Sequence, residues 1–345
     1  MPGLASWLAA VHIERFDPRT DNQQLRACYE MAVAGQPEDD PSVPPGPFAA
    51  FRGWWGYGFG GNPMQAWLAS TDAGEPVGGY LLELPERENR DNAFGFVLVQ
   101  PARRRRGIGT ELLVHLARQV QADRSLLMSV ARIGSAGDAF AASTGGRTGM
   151  REVRRIQDLD ASLRERLPAL RAAAEPHAAG YTLRRWSGAT PPDLIEGVCA
   201  VYTALGDAPH DDAFEPATWD AARLHESEER VAAEGSHWYS VAALATQGEV
   251  AALTQLAVDP GRPDWGWQEI TAVTRPHRGH RLGMLVKVAM LELLADREPG
   301  LRRIATFNAE QNEHMIAVNE ELGFRVSDYF QSREHDVAAT AALAD

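Results

Sequence analysis

The sequence predicts a mixed α/β protein made of two tandem copies of one unit, each a mostly antiparallel twisted sheet flanked by helices. Three observations support this prediction. The chain has 345 residues, about two domains of typical size. An arginine–glycine motif occurs twice, with Arg104 and Arg278 lying 174 residues apart. Both halves also show the same order of strand-like and helix-like segments, which together favour a duplicated α/β layer.

Other features repeat at nearly the same offset. The matching pairs are Gly109 with Gly283, Cys28 with Cys199, and Asp39 with Asp211. A nearly constant offset across separate features indicates duplication of a unit of roughly 170 residues. We therefore expect an N-terminal domain at 1–160, a helix or linker at 161–180 and a C-terminal domain at 181–345.

The predicted order in each half is strand, helix, acidic proline-bearing loop, two hairpin strands, a further strand, the arginine–glycine loop, a helix and a last strand. In the first half the predicted strands and helices and the acidic loop occupy 11–16, 22–34, 37–47, 65–70, 77–84, 93–99, 110–122 and 125–130. In the second half they occupy 181–186, 192–205, 207–216, 237–245, 250–258, 269–273, 284–295 and 303–306.

Local sequence signals justify these elements. The run DDPSVPPGP is a cluster of helix and strand breakers, so it predicts a loop. The segments TDAGEP and TQGE supply the turn residues that a hairpin needs between its strands. The Ala-rich tail from Val337 is expected to lie at the surface.

Composition excludes several classes of protein. With 44% hydrophobic and 23% charged residues, the chain is neither collagen-like nor disordered nor disulfide-dense. A net charge of −13 disfavours general binding to nucleic acid or anionic lipid, because the field repels phosphate. The two cysteines are far apart, and no apolar run is long enough to span a membrane. We expect a cytoplasmic protein without a signal peptide, metal or nucleic-acid partner.

The repeated loop has the composition of a phosphate-binding site. Gly107 and Gly109 permit positive φ and close approach of a ligand. The loop opens a helix whose first amides have no acceptor within the helix, so they form a cradle of donors for a pyrophosphate. Four arginines at 103–106 add positive charge, although a solvated basic turn remains the alternative for one isolated copy. The spacing fits neither the GxGxxG fingerprint nor a Walker loop, which needs Gly-Lys-Ser/Thr.

These loops resemble the acyl-CoA pyrophosphate loop of the GNAT superfamily of N-acetyltransferases, which reads Arg/Gln-x-x-Gly-x-Gly/Ala. The first loop matches in full through Arg104, Gly107 and Gly109, whereas the second has Arg281 in place of the first glycine. The segment 306–324 is similar to the family's asparagine motif, with matching residues Asn312, Met315, Asn319, Gly323 and Phe324. The resemblance covers nearly the whole chain as a tandem pair of GNAT folds.

The resemblance implies acetyl-CoA or another acyl-CoA as cofactor. Its pantetheine arm is expected to add beside the strand that precedes each loop, where two strands splay apart at a bulge. The implied cofactor-binding residues are Val97, Val99, Arg104, Arg106, Gly107, Ile108, Gly109, Thr110, Thr271, Ala272, Val273, Arg278, Gly279, His280, Arg281, Leu282, Gly283, Met284, Asn308 and Asn312.

The second half has the better catalytic equipment. In the family the base is often a carboxylate on the strand before the loop, and Glu269 occupies that place, while the first half has Phe94, Gly95 and Phe96 there. A solvated or ion-paired glutamate is the alternative reading. Asn319 is the second expected catalytic residue, standing where the family often has a tyrosine acid. Because asparagine cannot give up a proton, the general acid stays open between Tyr329 and water.

The function implied is an acyl-CoA-dependent N-acyltransferase that moves an acetyl or short acyl group to a primary amine of a small molecule, by direct attack through a tetrahedral intermediate. The alternatives are a protein N-acetyltransferase and a non-catalytic acyl-CoA-binding or sensor module. The first half is expected to bind CoA without turnover or to buttress the fold. A monomer or a homodimer is expected. The acidic loop at 207–212 could attract a cationic amine, but a solvated loop is the preferred explanation because the whole chain is acidic.

Overall fold

The structure is a computed structural model that describes residues 11–58, 62, 64–120, 123–207 and 214–343. The chain divides into two compact units, Met1–Arg151 with Tyr329–Asp345, and Glu152–Asp328. Each unit is a mostly antiparallel sheet with helices packed on it. The predicted fold class, two tandem α/β units, is confirmed.

The first unit has the strand order β1-β2-β3-β4-β5-β12, in which only the β4–β5 pair is parallel. Helix α3 packs against β3 and β4 on one face, and α1 and α2 lie on the other face. Its elements are β1 (Val11–Phe16), α1 (Asn22–Asp39), α2 (Phe48–Tyr57), β2 (Met64–Thr71), β3 (Pro76–Glu83), β4 (Asn92–Val99), α3 (Ile108–Gln119), β5 (Leu126–Arg132), α4 (Ala136–Ser143), the start of β6 (Arg147–Asp158), most of β12 (Arg325–Asp336) and α10 (Val337–Ala341).

The second unit has the strand order β6-β11-β10-β9-β8-β7, in which only the β10–β11 pair is parallel. Helices α5 and α8 cover one face, and α6 and α7 cover part of the other. Its elements, besides the rest of β6 and β12, are α5 (Ala161–Ala174), β7 (Thr182–Ser187), α6 (Ile195–Thr203), α7 (Ala221–Glu234), β8 (His237–Leu244), β9 (Val250–Val258), β10 (Trp265–Val273), α8 (Leu282–Arg297), β11 (Arg303–Ala309) and α9 (Glu313–Glu321).

The unit boundaries differ from the predicted domains 1–160 and 181–345. The last strand, β12, pairs with β5 from Phe330 to Asp336, and β6 pairs with β11 from Glu152 to Asp158. Each long strand therefore crosses a boundary, at 151/152 and at 328/329. A sequence repeat predicts domains made of contiguous segments. In the structure, most of β6 pairs within the second unit and most of β12 pairs within the first, the reverse of what their positions in the sequence predict. The predicted linker, 161–180, contains α5 and packs in the second unit.

Several elements differ from their predicted bounds. Helix α1 runs to Asp39 and includes Pro37, so the predicted loop at 37–47 starts too early. The Gln36 side chain donates to the carbonyl oxygens of Asp40 and Val43, which stabilises this end of the helix. Strand β10 begins at Trp265 and not at 269. Helices α2, α4 and α7 and strands β6 and β12 were not predicted. Weak periodicity explains this for aromatic-rich α2 and short α4, whereas α7, β6 and β12 are long elements that sequence reasoning overlooked.

Both cysteines are free thiols buried in the helix–sheet cores. In the part of the chain that the structure describes, no helix combines the length and apolar character needed to cross a bilayer.

Candidate active site

Each sheet opens at the centre, where its two parallel strands part. In the first unit the parallel pairing covers three positions and ends at Phe94 opposite Met128. In the second unit it likewise covers three positions and ends at Trp267 opposite Ala305. Both strand pairs continue beyond these points without pairing to each other. The result is a wedge with free backbone edges in each unit, the place where an extended ligand can add like a strand.

Only the wedge of the second unit carries a β-bulge among the described residues of these strands. The β9–β10 register jumps between Gln268, opposite Leu256, and Ile270, opposite Gln255, so Glu269 is an extra residue. The equivalent β3–β4 register runs without interruption from Gly78–Val99 to Glu83–Phe94. Counted along the ladders, Gln268 takes the place of Gly95, and Glu269 has no counterpart. A bulge re-aims a side chain, and here that side chain is a carboxylate.

Glu269 lies among charged groups of α7. Its electrostatic partners are Arg230, which lowers its pKa, and Glu234, which raises it, but burial among protein atoms is the largest effect and raises the pKa of Glu269 to about 7. The side chain nevertheless remains open to water. Arg230 and Glu234 are themselves ion-paired and buried. A carboxylate of this pKa at an open wedge has the property that a general base near neutral pH requires.

Gln268 closes the bulge from the opposite face of the sheet. Its Nε2 donates to the carbonyl oxygens of Gln255 at 2.6 Å and Ile270 at 3.0 Å, which are register partners on β9 and β10 directly after the interruption. Its Oε1 accepts from Lys287 Nζ at 3.2 Å. Lys287 is 3% exposed, its ammonium lies 5.0 Å from the Phe324 ring centroid, and burial lowers its pKa to about 7. Gln268 and Lys287 thus fix the backbone that presents Glu269.

The two arginine–glycine loops share one backbone conformation with their residue types exchanged. Arg105 and Gly107 have φ of 62° and 85°, and the residues 174 positions later, Gly279 and Arg281, have φ of 85° and 50°. Each loop therefore contains one glycine and one arginine at its two left-handed positions. The departure of Arg281 from the family pattern is accommodated by the left-handed conformation of Arg281 itself. Its guanidinium is held by Glu321 at 2.6 Å.

The helices that follow these loops begin without a side-chain cap. Neither α3 nor α8 has a side chain that accepts from its first-turn amides. The helix itself supplies no acceptor for the amides of residues 108–110 and 282–284. Five other helices do have such caps, contributed by Ser135, Asp160, Asp220, Asn312 and Asp336. Uncapped amides at a partial positive charge favour an anion at both sites.

The two helix starts differ in the free space beside their glycines, Gly109 and Gly283. A Cβ placed on Gly283 would have only Val273 within 4 Å, at 3.9 Å. A Cβ placed on Gly109 would lie 3.3 Å from the Phe140 ring and 3.6 Å from Val99. The first loop is therefore more crowded, because the α4 side chain Phe140 packs over it.

The leading arginine of each loop is tied to the chain and to an acid. Arg104 donates to Asp39 at 2.5 and 2.9 Å and to the Val99 carbonyl at 3.4 Å. Arg278 donates to Asp207 at 2.7 Å and to the Val273 carbonyl at 3.2 Å. Asp207 also accepts from Arg275, and these two guanidinium groups lower its pKa. The structural counterpart of Asp39 is thus Asp207; the sequence-matched Asp211 and the rest of the acidic loop to 212 lie outside the described residues.

The predicted asparagines divide into a cap and a buried pair. Asn312 caps α9, where its side chain accepts from the Met315 amide at 3.3 Å. This capping role, and not contact with a ligand, is what the structure shows for Asn312. Asn319 has no exposed surface, and its Nδ2 donates to Asn308 Oδ1 at 2.8 Å. Because it is fully covered, Asn319 contacts no bound substrate in this conformation; Asn308, only half-buried on β11 beyond the wedge, is the accessible member.

The remaining predicted binding residues fall into three groups. The side chains of Ile108, Leu282 and Met284 are buried in the helix–sheet cores, so only their amides face the loop. Arg106 is exposed, and His280 contacts the carbonyl of His177 at 3.1 Å. The half-buried strand and helix positions are Val97, Val99, Thr110, Thr271, Ala272 and Val273.

Sequence reasoning missed the residues that surround Glu269. Arg230 and Glu234 come from α7, which was not predicted, and Tyr202 on α6 is buried with its hydroxyl donating to Gln255 Oε1 at 2.5 Å. Lys287 lies in the apolar first part of α8, 282–291, and its charge there was the signal available in the sequence. In the described ranges no cluster of three His, Cys, Asp or Glu side chains is arranged to hold a metal ion.

Comparison with known proteins identifies the fold. Residues 13–132 match the acetyltransferase (GNAT) family. The whole chain is similar to a tandem GNAT protein from the clavulanic acid biosynthesis pathway, with a TM-score of 0.77, 25% identity, and coverage of 95% of this chain and 99% of that one. No curated protein sequence matches this chain.

Two more distant structures share the fold. A GCN5-related N-acetyltransferase from Sphaerobacter thermophilus has a TM-score of 0.61 at 19% identity, over 95% of this chain and 96% of that chain. The Saccharomyces cerevisiae N-myristoyltransferase, solved with bound myristoyl-CoA, has a TM-score of 0.61 at 11% identity, over 95% of this chain and 80% of that chain. At these identities the likeness concerns the fold alone.

Proposed function

From the premise that this chain is a tandem GNAT acetyltransferase, we propose that its second unit transfers an acetyl or short acyl group from CoA to a primary amine of a small molecule. The observation that carries the proposal is the bulge in β10, which adds Glu269 to the strand beside the wedge. The first unit has the same wedge, but its described β3–β4 ladder has no bulge and no carboxylate at that point.

The residues of the second unit fit a bound acyl-CoA. The uncapped amides of residues 282–284 are donors for its diphosphate, and Gly283 leaves room for close approach. The unpaired edge of β10 at 271–273 is available to the pantetheine amides. Half-buried Asn308, held by the Asn319 amide at 2.8 Å, is the member of this pair that a ligand in the wedge can reach. When bound, the thioester supplies the acyl group.

Glu269 would remove the proton from the acceptor ammonium before the amine attacks. Its pKa of about 7 leaves it sufficiently ionised to accept a proton near neutral pH. Gln268 and Lys287 act as positioning residues, because they hold the bulge and contact no reacting atom. We place Asn319 behind Asn308 as its positioning partner, and we assign no general acid for the thiolate.

For the first unit we propose a binding or structural role without turnover. Its loop has the full family motif, but Phe140 covers Gly109 and Gly95 stands where the second unit has Gln268. A non-catalytic acyl-CoA site remains compatible with its uncapped helix α3.

Turnover of acetyl-CoA with a panel of primary amines tests the proposal through release of free thiol. Glu269→Gln should abolish most of the turnover. Glu83→Gln changes a half-buried carboxylate with a raised pKa in the first unit, so it serves as the matched control and should retain turnover. Equal loss in both variants, or thiol release without an acylated amine, would refute the assignment. Acylation of proteins but of none of the small amines would favour a protein acceptor.

A further inference from the structure

An aromatic pair lies on the face of the second sheet toward which Glu269 projects. The rings of Trp267 on β10 and Phe307 on β11 are nearly parallel, at 6°, with centroids 6.4 Å apart. Phe307 is 38% exposed, which is unusual for a phenylalanine in a central strand, and Trp267 is partly exposed. Neither ring belongs to a helix–sheet core of this unit.

The register places this pair and Glu269 on one face. Trp267 is opposite Ala257, which packs with Val231 of α7, so Trp267 points to the α7 side. Glu269 interacts electrostatically with Arg230 and Glu234 of the same helix. Two residues along a strand span about 7 Å, so a ligand whose amine lies at Glu269 can place a ring against Trp267 through a short alkyl linker.

The charges around the pair favour a cation. Arg154, directly opposite Phe307 in the register, is buried with its guanidinium 5.8 Å from the Phe307 ring centroid, and its charge is offset by an ion pair with Asp328 at 2.6 Å. Arg230 is likewise paired with Glu234. Both arginine charges are offset by neighbouring carboxylates, so the ionised Glu269 leaves a net negative charge beside the aromatic surface. A ring with an ammonium group fits both features, since aromatic rings prefer offset stacking and the ammonium pairs with the carboxylate.

The first unit lacks this surface. Phe94 takes the ladder position of Trp267, and Val130 takes that of Phe307, counted from the last parallel pairs of the two wedges. The same fold therefore does not require two aromatic rings at this point. Their presence in the unit that also carries Glu269 points to a role in selecting the acceptor.

We propose that Trp267 and Phe307 form the acceptor subsite, and that it selects primary amines carrying an aromatic ring on a short alkyl linker. This inference rests on the proposed function, since it takes Glu269 as the base. Trp267 and Phe307 are specificity-determining residues in this scheme. The matched comparison is 2-phenylethylamine against n-butylamine, which present the same amine with and without the ring.

The test measures binding and turnover separately. Calorimetric titration of the full chain in the presence of CoA should give a Kd for 2-phenylethylamine about tenfold below that of n-butylamine. Trp267→Leu and Phe307→Leu should each reduce this ratio by about three- to tenfold, while n-butylamine binding stays unchanged. Phe94→Leu, the matched variant in the first unit, should leave the ratio unaltered.

The outcomes separate the two proposals. Equal Kd values for the two amines, or a ratio that Phe94→Leu changes and Phe307→Leu does not, would overturn the aromatic subsite. Absence of amine acetylation with both amines would refute the transferase function, and the calorimetric ratio would still decide the subsite. Circular dichroism of each leucine variant establishes that it is folded, so a lost ratio reports the ring and not unfolding.

Discussion

The two wedges of this protein have the same backbone plan and different chemistry. In the first unit, β4 runs straight and places Gly95 opposite Leu82, and α3 has Leu113 four residues after Gly109. In the second unit, β10 has Gln268 at the equivalent ladder position, an inserted Glu269, and Lys287 four residues after Gly283. One inserted residue and two apolar-to-polar differences convert a packed wedge into one that presents a base.

The unit that matches the GNAT family and the unit that carries the proposed catalytic residue are not the same one. The GNAT family match falls on residues 13–132, the unit with the full loop motif. The bulge, the glutamate and the exposed aromatic pair lie in the other unit. The family match therefore lies in the unit with the complete phosphate loop, whereas the proposed catalytic residue lies on the strand before the loop of the other unit.

The largest expected effect is on turnover in Glu269→Gln. Removing a general base costs about 10²- to 10⁴-fold in rate, so kcat/KM should fall by this factor. In the wild type only ionised Glu269 accepts a proton, so kcat/KM should rise with pH and level off above about 7. Steady-state kinetics from pH 5.5 to 9 measure both. A Gln variant with unchanged rate and pH profile would assign the base elsewhere.

Making α8 resemble α3 tests the buried lysine. Lys287→Leu should stabilise the fold below pH 7 by up to about 5 kcal/mol, because each unit by which burial lowers the pKa corresponds to about 1.4 kcal/mol. In the wild type the pKa is about 7 when folded and 10.5 in the unfolded reference. The unfolded chain therefore binds more protons between these values, and wild-type stability should rise with pH across that range.

Urea unfolding of both proteins at pH 6 and pH 9 measures this effect. The stabilisation by Lys287→Leu should shrink at pH 9, and the variant should lose kcat, since Gln268 loses its donor. A variant less stable than the wild type at pH 6 would show that the ammonium is not destabilising.

A negative charge introduced at the start of α8 or of α3 distinguishes the roles of the two loops. Gly283→Asp should weaken CoA binding by about 10- to 100-fold, the range of a lost charged hydrogen bond, because a carboxylate then occupies the anion cradle. Gly283→Ala is the matched control and should bind normally, since its Cβ has an open position. Gly109→Asp should leave turnover intact. Loss of turnover in Gly109→Asp alone would place the working site in the first unit.

The smallest effect concerns the left-handed arginines. Arg105→Gly should stabilise the chain by about 0.5–1 kcal/mol, since glycine adopts positive φ without steric cost. Arg281→Gly should gain less, because it also loses the contact with Glu321. Denaturant midpoints measure both. Equal gains would show that the Glu321 contact contributes nothing, and losses in both would contradict the strain argument.

Much of the fold could be predicted from the sequence because the same motifs occur in both halves of the chain. The constant spacing of Arg104 and Arg278 located the two loops, and each loop does open a helix. The unit boundaries were not accessible, because β6 and β12 pair with strands far away in sequence. The sequence also could not predict how the loop accommodates Arg281, since the positive φ of Arg281 and its ion pair with Glu321 arise only in the folded loop.

The sequence by itself determined the duplication, the fold class and the presence of a carboxylate at position 269, because these depend on residue types and spacing. The tertiary structure alone decided that Glu269 is an extra residue in its ladder, that α7 surrounds it with charge, and that Trp267 and Phe307 share its face. The physical reason is that register and burial are set by hydrogen bonds between strands distant in sequence. A one-residue shift in such a ladder reverses the face that each side chain occupies.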